Sequence, residues 1–138
     1  MKLVHHRADT PLTLTGHGPG FVLIDQVKYT ESLVLGPERL QPGWAPHLEL
    51  LEERHFTELL DHDPELVLLG SGNRFRFPDW QLTRPLLERG IGLEVMDTAA
   101  ACRTYAILSG EGRRVVAALI IEPASWNPSS CPHRTPAG

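Results

Sequence analysis

The sequence predicts an α/β fold, and three observations predict it. Short apolar runs over Glu65–Leu69, Gly92–Met96 and Val115–Ile121 alternate with two helical segments. Glycines stand at the joints, in Gly70-Ser71-Gly72-Asn73, at Gly90 and in Gly110-Glu111-Gly112. The chain before them carries β-type runs broken by Pro and Gly. Element length, period and punctuation thus agree on βαβ units behind a mostly antiparallel front half.

Taken in order, Met1 to Gly20 is rich in Thr, Gly and Pro and reads as a flexible lead-in arm. Its one alternating stretch, Leu12-Thr13-Leu14-Thr15, suits a short edge strand, with Gly16-His17-Gly18-Pro19-Gly20 as the loop after it. That loop is no phosphate cradle, because a strand follows it where a helix N-terminus would be needed. Phe21–Asp25 and Val27–Leu35 form a hairpin or two consecutive strands, ended by Gly36-Pro37. Arg39–Pro42 is another short strand candidate, and Trp44-Ala45-Pro46 an apolar plug. From His47 to Leu60 the apolar spacing turns helical, although Leu48-Glu49-Leu50 also fits a strand and would leave a helix over 52–60. Asp61-His62-Asp63-Pro64 stops that helix.

The uninterrupted Leu66-Val67-Leu68-Leu69 suits a central strand covered on both faces, with Gly92–Met96 its parallel neighbour. The crossover helix spans about Trp80 to Arg89. Pro85 confines its regular part to about 85–89 after an irregular lead-in. Asp97 or Thr98 caps the next helix, Thr98 to Ser109, whose small face of Ala99, Ala100, Ala101, Cys102 and Ala106 permits close approach to a sheet. Val115–Ile121 is the last buried strand, and as an apolar run it reads as parallel to the others. After it the chain turns Pro/Ser-rich, so residues 1–125 read as one domain and 126–138 as a disordered tail.

Composition sets bounds on function. The chain has 138 residues, the usual size of one domain, and a net charge of −4. Its basic residues are mostly Arg and scattered, which leaves nucleic acid and an anionic membrane surface without an electrostatic footprint. Two cysteines do not make a disulfide framework, and no run is long enough to span a bilayer. A cytoplasmic protein with no integral membrane segment is expected.

The best pocket candidate is Gly70, Ser71, Gly72 and Asn73, just past the carboxyl end of a central strand, where open α/β sheets bind ligands. It is not a dinucleotide fingerprint, since Phe75 stands where a third glycine belongs. Ser71 lacks the Gly-x-Ser-x-Gly frame and a base placed by the sequence. The seven histidines never stand in an i+3 or i+4 relation, so no metal site is expected. Cys102 near a helix N-terminus would be a reactive thiol if exposed, but reads as a small buried residue.

Leu69-Gly70-Ser71-Gly72, Gly90 through Thr98, Ala100 through Tyr105 and Glu111 through Leu119 carry a resemblance that extends over Phe21 to Pro123. The chain resembles the small bacterial domain of unknown function related to the mitochondrial NADH:ubiquinone oxidoreductase (complex I) assembly factor. The resemblance implies a three-layer α/β fold: a mixed central sheet with one strand running against the others, flanking helices, and a small antiparallel β layer from the N-terminal half. It withdraws the parallel direction that the apolar run alone gives to Val115–Ile121. This sequence departs from the family in having Ala106 where Asn is usual. The resemblance brings no catalytic residues and no cofactor. It implies an unidentified protein partner in respiratory-complex assembly, without catalysis. The competing reading is a binder of a small anionic ligand, or an enzyme, using the Gly70–Asn73 loop. In either case turn amides and the helix start at Asp97 and Thr98 would converge on one crevice edge, with Asn73 and Arg103 reaching the bound group and Ser71 donating from the turn.

Overall fold

In the computed structural model the described residues are 12–123. The first residues of the expected arm and the expected disordered tail over 126–138 lie outside them. The described residues form eight strands and three α-helices: β1 (Leu14–Gly18), β2 (Phe21–Ile24), β3 (Val27–Tyr29), β4 (Leu33–Leu35), β5 (Leu40–Pro42), α1 (Glu53–Leu59), β6 (Leu66–Gly70), α2 (Arg84–Glu88), β7 (Gly92–Met96), α3 (Thr98–Ser109) and β8 (Val115–Leu119).

β1, β2 and β3 make a three-stranded antiparallel sheet, and the other five make a central sheet in the order β5-β4-β8-β6-β7. β6 pairs in parallel with both β7 and β8, and β4 runs antiparallel to both β5 and β8. The strand that runs against the rest is therefore β4, and β8 is parallel to β6. The direction read from the apolar run alone was right, and its withdrawal was the error.

Both faces of β8 are covered. Val115, Ala117 and Leu119 enter one core with Ile24, Leu35, Leu68, Ala101, Cys102 and Tyr105, beneath α3 and the small sheet. Val116, Ala118 and Ile120 enter a second core with Trp44, Phe56, Leu59, Leu69 and Leu86, beneath α1 and α2. The small face of α3 is Ala101 and Cys102, both wholly buried, while Ala99 and Ala106 face outward. Replacing Ala101 with Leu should overpack the α3–sheet contact and cost about 1–3 kcal/mol. A melting curve that matches the parent's would show that α3 does not press on the sheet there.

Three local expectations change. The expected loop at Gly16–Gly20 is strand as far as Gly18, because the glycines make room for rings and branched chains across the hairpin. A Cβ on Gly18 would lie 2.5 Å from the Phe21 ring, and one on Gly16 3.1 Å from Leu23 Cδ1. Val27–Leu35 breaks at Ser32, so β3 and β4 join different sheets; Ser32 Oγ accepts Ile121 N at 3.0 Å. Leu48–Leu50 is a 3-10 turn, neither strand nor part of α1, with Leu48 turned into the core. Pro85 does sit in the first turn of α2, after a 3-10 lead-in over Trp80–Thr83. Among the described residues no helix is long and apolar enough to cross a membrane.

Candidate functional site

Because β6, β7 and β8 are parallel, their carboxyl ends meet: Gly70 pairs with Met96 on one side and Leu119 on the other. The Gly70–Asn73 turn, the start of α3 and the segment after β8 are thereby brought together. Ser71 N donates to Met96 O at 2.8 Å and Ile120 N to Gly70 O at 3.0 Å. Thr98 Oγ1 accepts Gly72 N at 2.9 Å and donates to Ile120 O at 2.6 Å, so one hydroxyl joins all three segments. Gly70 has to be glycine here, since a Cβ would fall 2.8 Å from that hydroxyl and 3.0 Å from Thr98 Cα. Asp97 caps α3 by accepting Ala100 N at 2.8 Å.

The residue on which this junction closes is Glu122, only 1 % exposed. Its Oε1 accepts Asn73 N at 2.9 Å, and its Oε2 accepts Arg76 Nη2 at 3.2 Å and stands 3.5 Å from His47 Nδ1. Arg76 also donates through Nη1 to the Glu49 carboxylate and through Nη2 to Ser71 O at 3.3 Å. Gly72, at φ +112°, presents its bare Cα to Glu122; a Cβ there would lie 2.3 Å from Oε1. Two carboxylates, one guanidinium and an imidazole thus tie the turn to the end of β8 and to the segment before α1.

Of the residues expected to form the site, Gly70, Ser71, Gly72, Asn73, Asp97 and Thr98 do gather at one edge. The turn amides do not face outward. Those of Ser71, Gly72 and Asn73 all donate inward, and the anion that the turn holds is the chain's own Glu122. Ser71 is fully buried; its hydroxyl donates to Arg74 O at 2.6 Å and accepts Arg76 N at 3.1 Å. Asn73 is exposed, with its side-chain amide donating to Pro123 O at 2.9 Å. Arg103 is exposed on α3 and does not line the neighbouring cleft. Cys102 is buried, which pushes its thiol up to about 12, far from a reactive thiolate.

The sequence reading passed over Glu122, Arg76, Glu49 and His47. One signal was present: a charged residue directly after an apolar run, which in a parallel β8 must land beside the Gly70–Asn73 turn. It also passed over the inside-out alternation of Arg74-Phe75-Arg76-Phe77. Here Arg76 points in, while Phe75 and Phe77 are 54 % and 58 % exposed. Their ring centroids are 4.8 Å apart, and Trp80, 51 % exposed, lies 5.5 Å from Phe77.

A cleft of about 460 Å³ opens on the other side of Asn73. The β1–β2 hairpin over 17–22 forms one wall, Asn73, Asp97, Thr98 and Ala99 form the opposite wall, and Ile120 and Ile121 lie at its base with Glu122. Residues 14–120, nearly all of this fold, match a family described as a protein of unknown function (DUF498/DUF598). The chain belongs to this family. Its DUF498/DUF598 relatives include the zebrafish (Danio rerio) protein named NADH dehydrogenase (ubiquinone) 1 alpha subcomplex assembly factor 3. The two are 31% identical over 126 residues, 90% of this chain and 72% of that one. The human protein of the same name is 35% identical over 70% of this chain, which spans only 56% of the human length. A crystal structure from Bordetella parapertussis superposes with a TM-score of 0.77 at 35% identity, covering 83% of this chain and 99% of that one. The DUF498/DUF598 fold of this chain is thus nearly the whole of the Bordetella protein and a part of the animal assembly factors.

Proposed function

We propose that the protein acts by contact and not by catalysis, as an assembly factor for a respiratory complex that receives a segment of a partner protein in the cleft beside Asn73, Asp97 and Thr98. The observation that carries this reading is the cleft itself. It has an apolar base at Ile120 and Ile121 and a hairpin for one wall, while Gly72 N, Asn73 N and Thr98 Oγ1 at its rim are engaged within the fold. Such a surface suits an inserted peptide segment better than an anion, which would need the amides that Thr98 and Glu122 occupy. The names of the animal relatives support the same role.

Ala99 is the residue through which to test it, being exposed, small and on the cleft wall. Deleting the gene in the native host should lower the membrane NADH:quinone oxidoreductase several-fold. A99S should restore it, and A99W, which fills the cleft from its solvent side, should not. Unchanged oxidoreductase in the deletion strain would refute the assembly role, and full rescue by A99W would refute the cleft.

A further inference from the structure

We infer that the stretch Phe75–Leu87 is a lipid-contact face, whose Phe75, Phe77, Trp80 and Leu87 enter the headgroup–acyl boundary of an anionic bilayer while Arg74 and Arg84 meet its phosphates. Six large apolar side chains are exposed among the described residues, and four of them lie in this short stretch. The three rings touch in series, and beyond the 3-10 turn that carries Trp80 the exposed Arg84 and Leu87 stand three residues apart on α2. The face is also held rigid. Arg76 is drawn inward between Phe75 and Phe77 by Glu122, Glu49 and Ser71, which keeps the flanking rings pointed outward.

Charge selects the occupant, and it corrects the expectation that an anionic membrane surface finds no electrostatic footprint on this chain. The chain carries a net charge of −4, yet between Asn73 and Leu87 its charged residues are Arg74, Arg76, Arg84 and Asp79. Arg76 is held within the fold, and Asp79 caps the lead-in turn by accepting Gln81 N at 3.0 Å. Arg74 and Arg84 remain exposed beside the rings. Trp and Phe with flanking Arg is the composition of an interfacial membrane contact, each cation adding attraction to an anionic surface. Asn73 joins this face to the cleft, so a chain seated on a bilayer would hold the cleft at membrane level. Only this purpose rests on the proposed assembly role; the contact itself is tested with no partner present, so either can fail alone.

The test is sedimentation with phosphatidylcholine vesicles, with and without phosphatidylglycerol, alongside tryptophan emission. Phosphatidylglycerol vesicles should carry down the protein and shift its emission to the blue, with several-fold less uptake on phosphatidylcholine alone. W80F should lose the emission shift and keep most of the sedimentation. F75S/F77S should melt like the parent, because both rings are exposed, and should partition at least about tenfold more weakly. R74E/R84E should erase the preference for phosphatidylglycerol. Failure of the parent protein to sediment with phosphatidylglycerol vesicles would overturn the inference, as would undiminished binding of F75S/F77S. Self-association relieved by F75S/F77S, with no vesicle uptake, would assign the rings to protein contact and overturn it equally.

Discussion

Glu122→Ala should destabilise the fold by about 2–4 kcal/mol, measured as the change in unfolding free energy in urea. The carboxylate is buried, and its loss leaves Asn73 N without its acceptor and Arg76 without one of its two carboxylates. Removing one partner of a fully buried ion pair typically costs about 3–5 kcal/mol. The expected figure is lower because Arg76 keeps Glu49 and its side chain is 21% exposed. Glu122→Gln preserves an oxygen for Asn73 N and should cost about half as much, separating the hydrogen bond from the charge. A loss under about 1 kcal/mol for Glu122→Ala would mean that the cluster does not hold the junction.

Gly72→Ala should be of similar size, about 3–4 kcal/mol, from two sources that can be told apart. One is a backbone φ of +112°, which costs an L-residue about 1–3 kcal/mol. The other is a Cβ placed 2.3 Å from Glu122 Oε1, on a carboxylate that Asn73 N and Arg76 prevent from moving aside. In the G72A/E122A double variant the contact disappears and the backbone strain remains. The double variant should therefore be less destabilised than the sum of the single ones by about 1–2 kcal/mol. Strict additivity would show that the glycine is required only for its backbone angle.

The parts of the site that depend on neighbours in sequence were legible. A strand followed by Gly-Ser-Gly-Asn, and an Asp before a run of alanines, fix a turn and a helix cap through local geometry alone. What the turn amides bind was not legible, because Glu122 arrives from the far end of the chain and its placement depends on the direction of β8. That direction follows from burial on both faces, so the apolar run pointed correctly and the borrowed expectation of reversal hid the consequence. Gly16 and Gly18 were misread because glycine is poor in strands, a tendency that yields when cross-strand side chains occupy the missing Cβ's place. Arg76 was missed for the opposite reason. In an Arg-Phe-Arg-Phe stretch, hydropathy assigns the rings to the interior, and the buried Glu122 with the part-exposed Glu49 reverses the assignment.

The position of β8 also governs when the protein can fold during synthesis. Among the described residues it lies at the middle of the sheet yet is the last strand made, and it alone joins β4 to β6, with Leu33 set against Leu119. Until it leaves the ribosome, β4–β5 and β6–β7 are two separate fragments, each with an open edge and uncovered apolar faces. At ordinary elongation rates the interval from the emergence of β4 to that of β8 is on the order of 10 s. The nascent chain therefore spends that time exposed to aggregation and to chaperones, and a product stalled before Val115 has no sheet to complete.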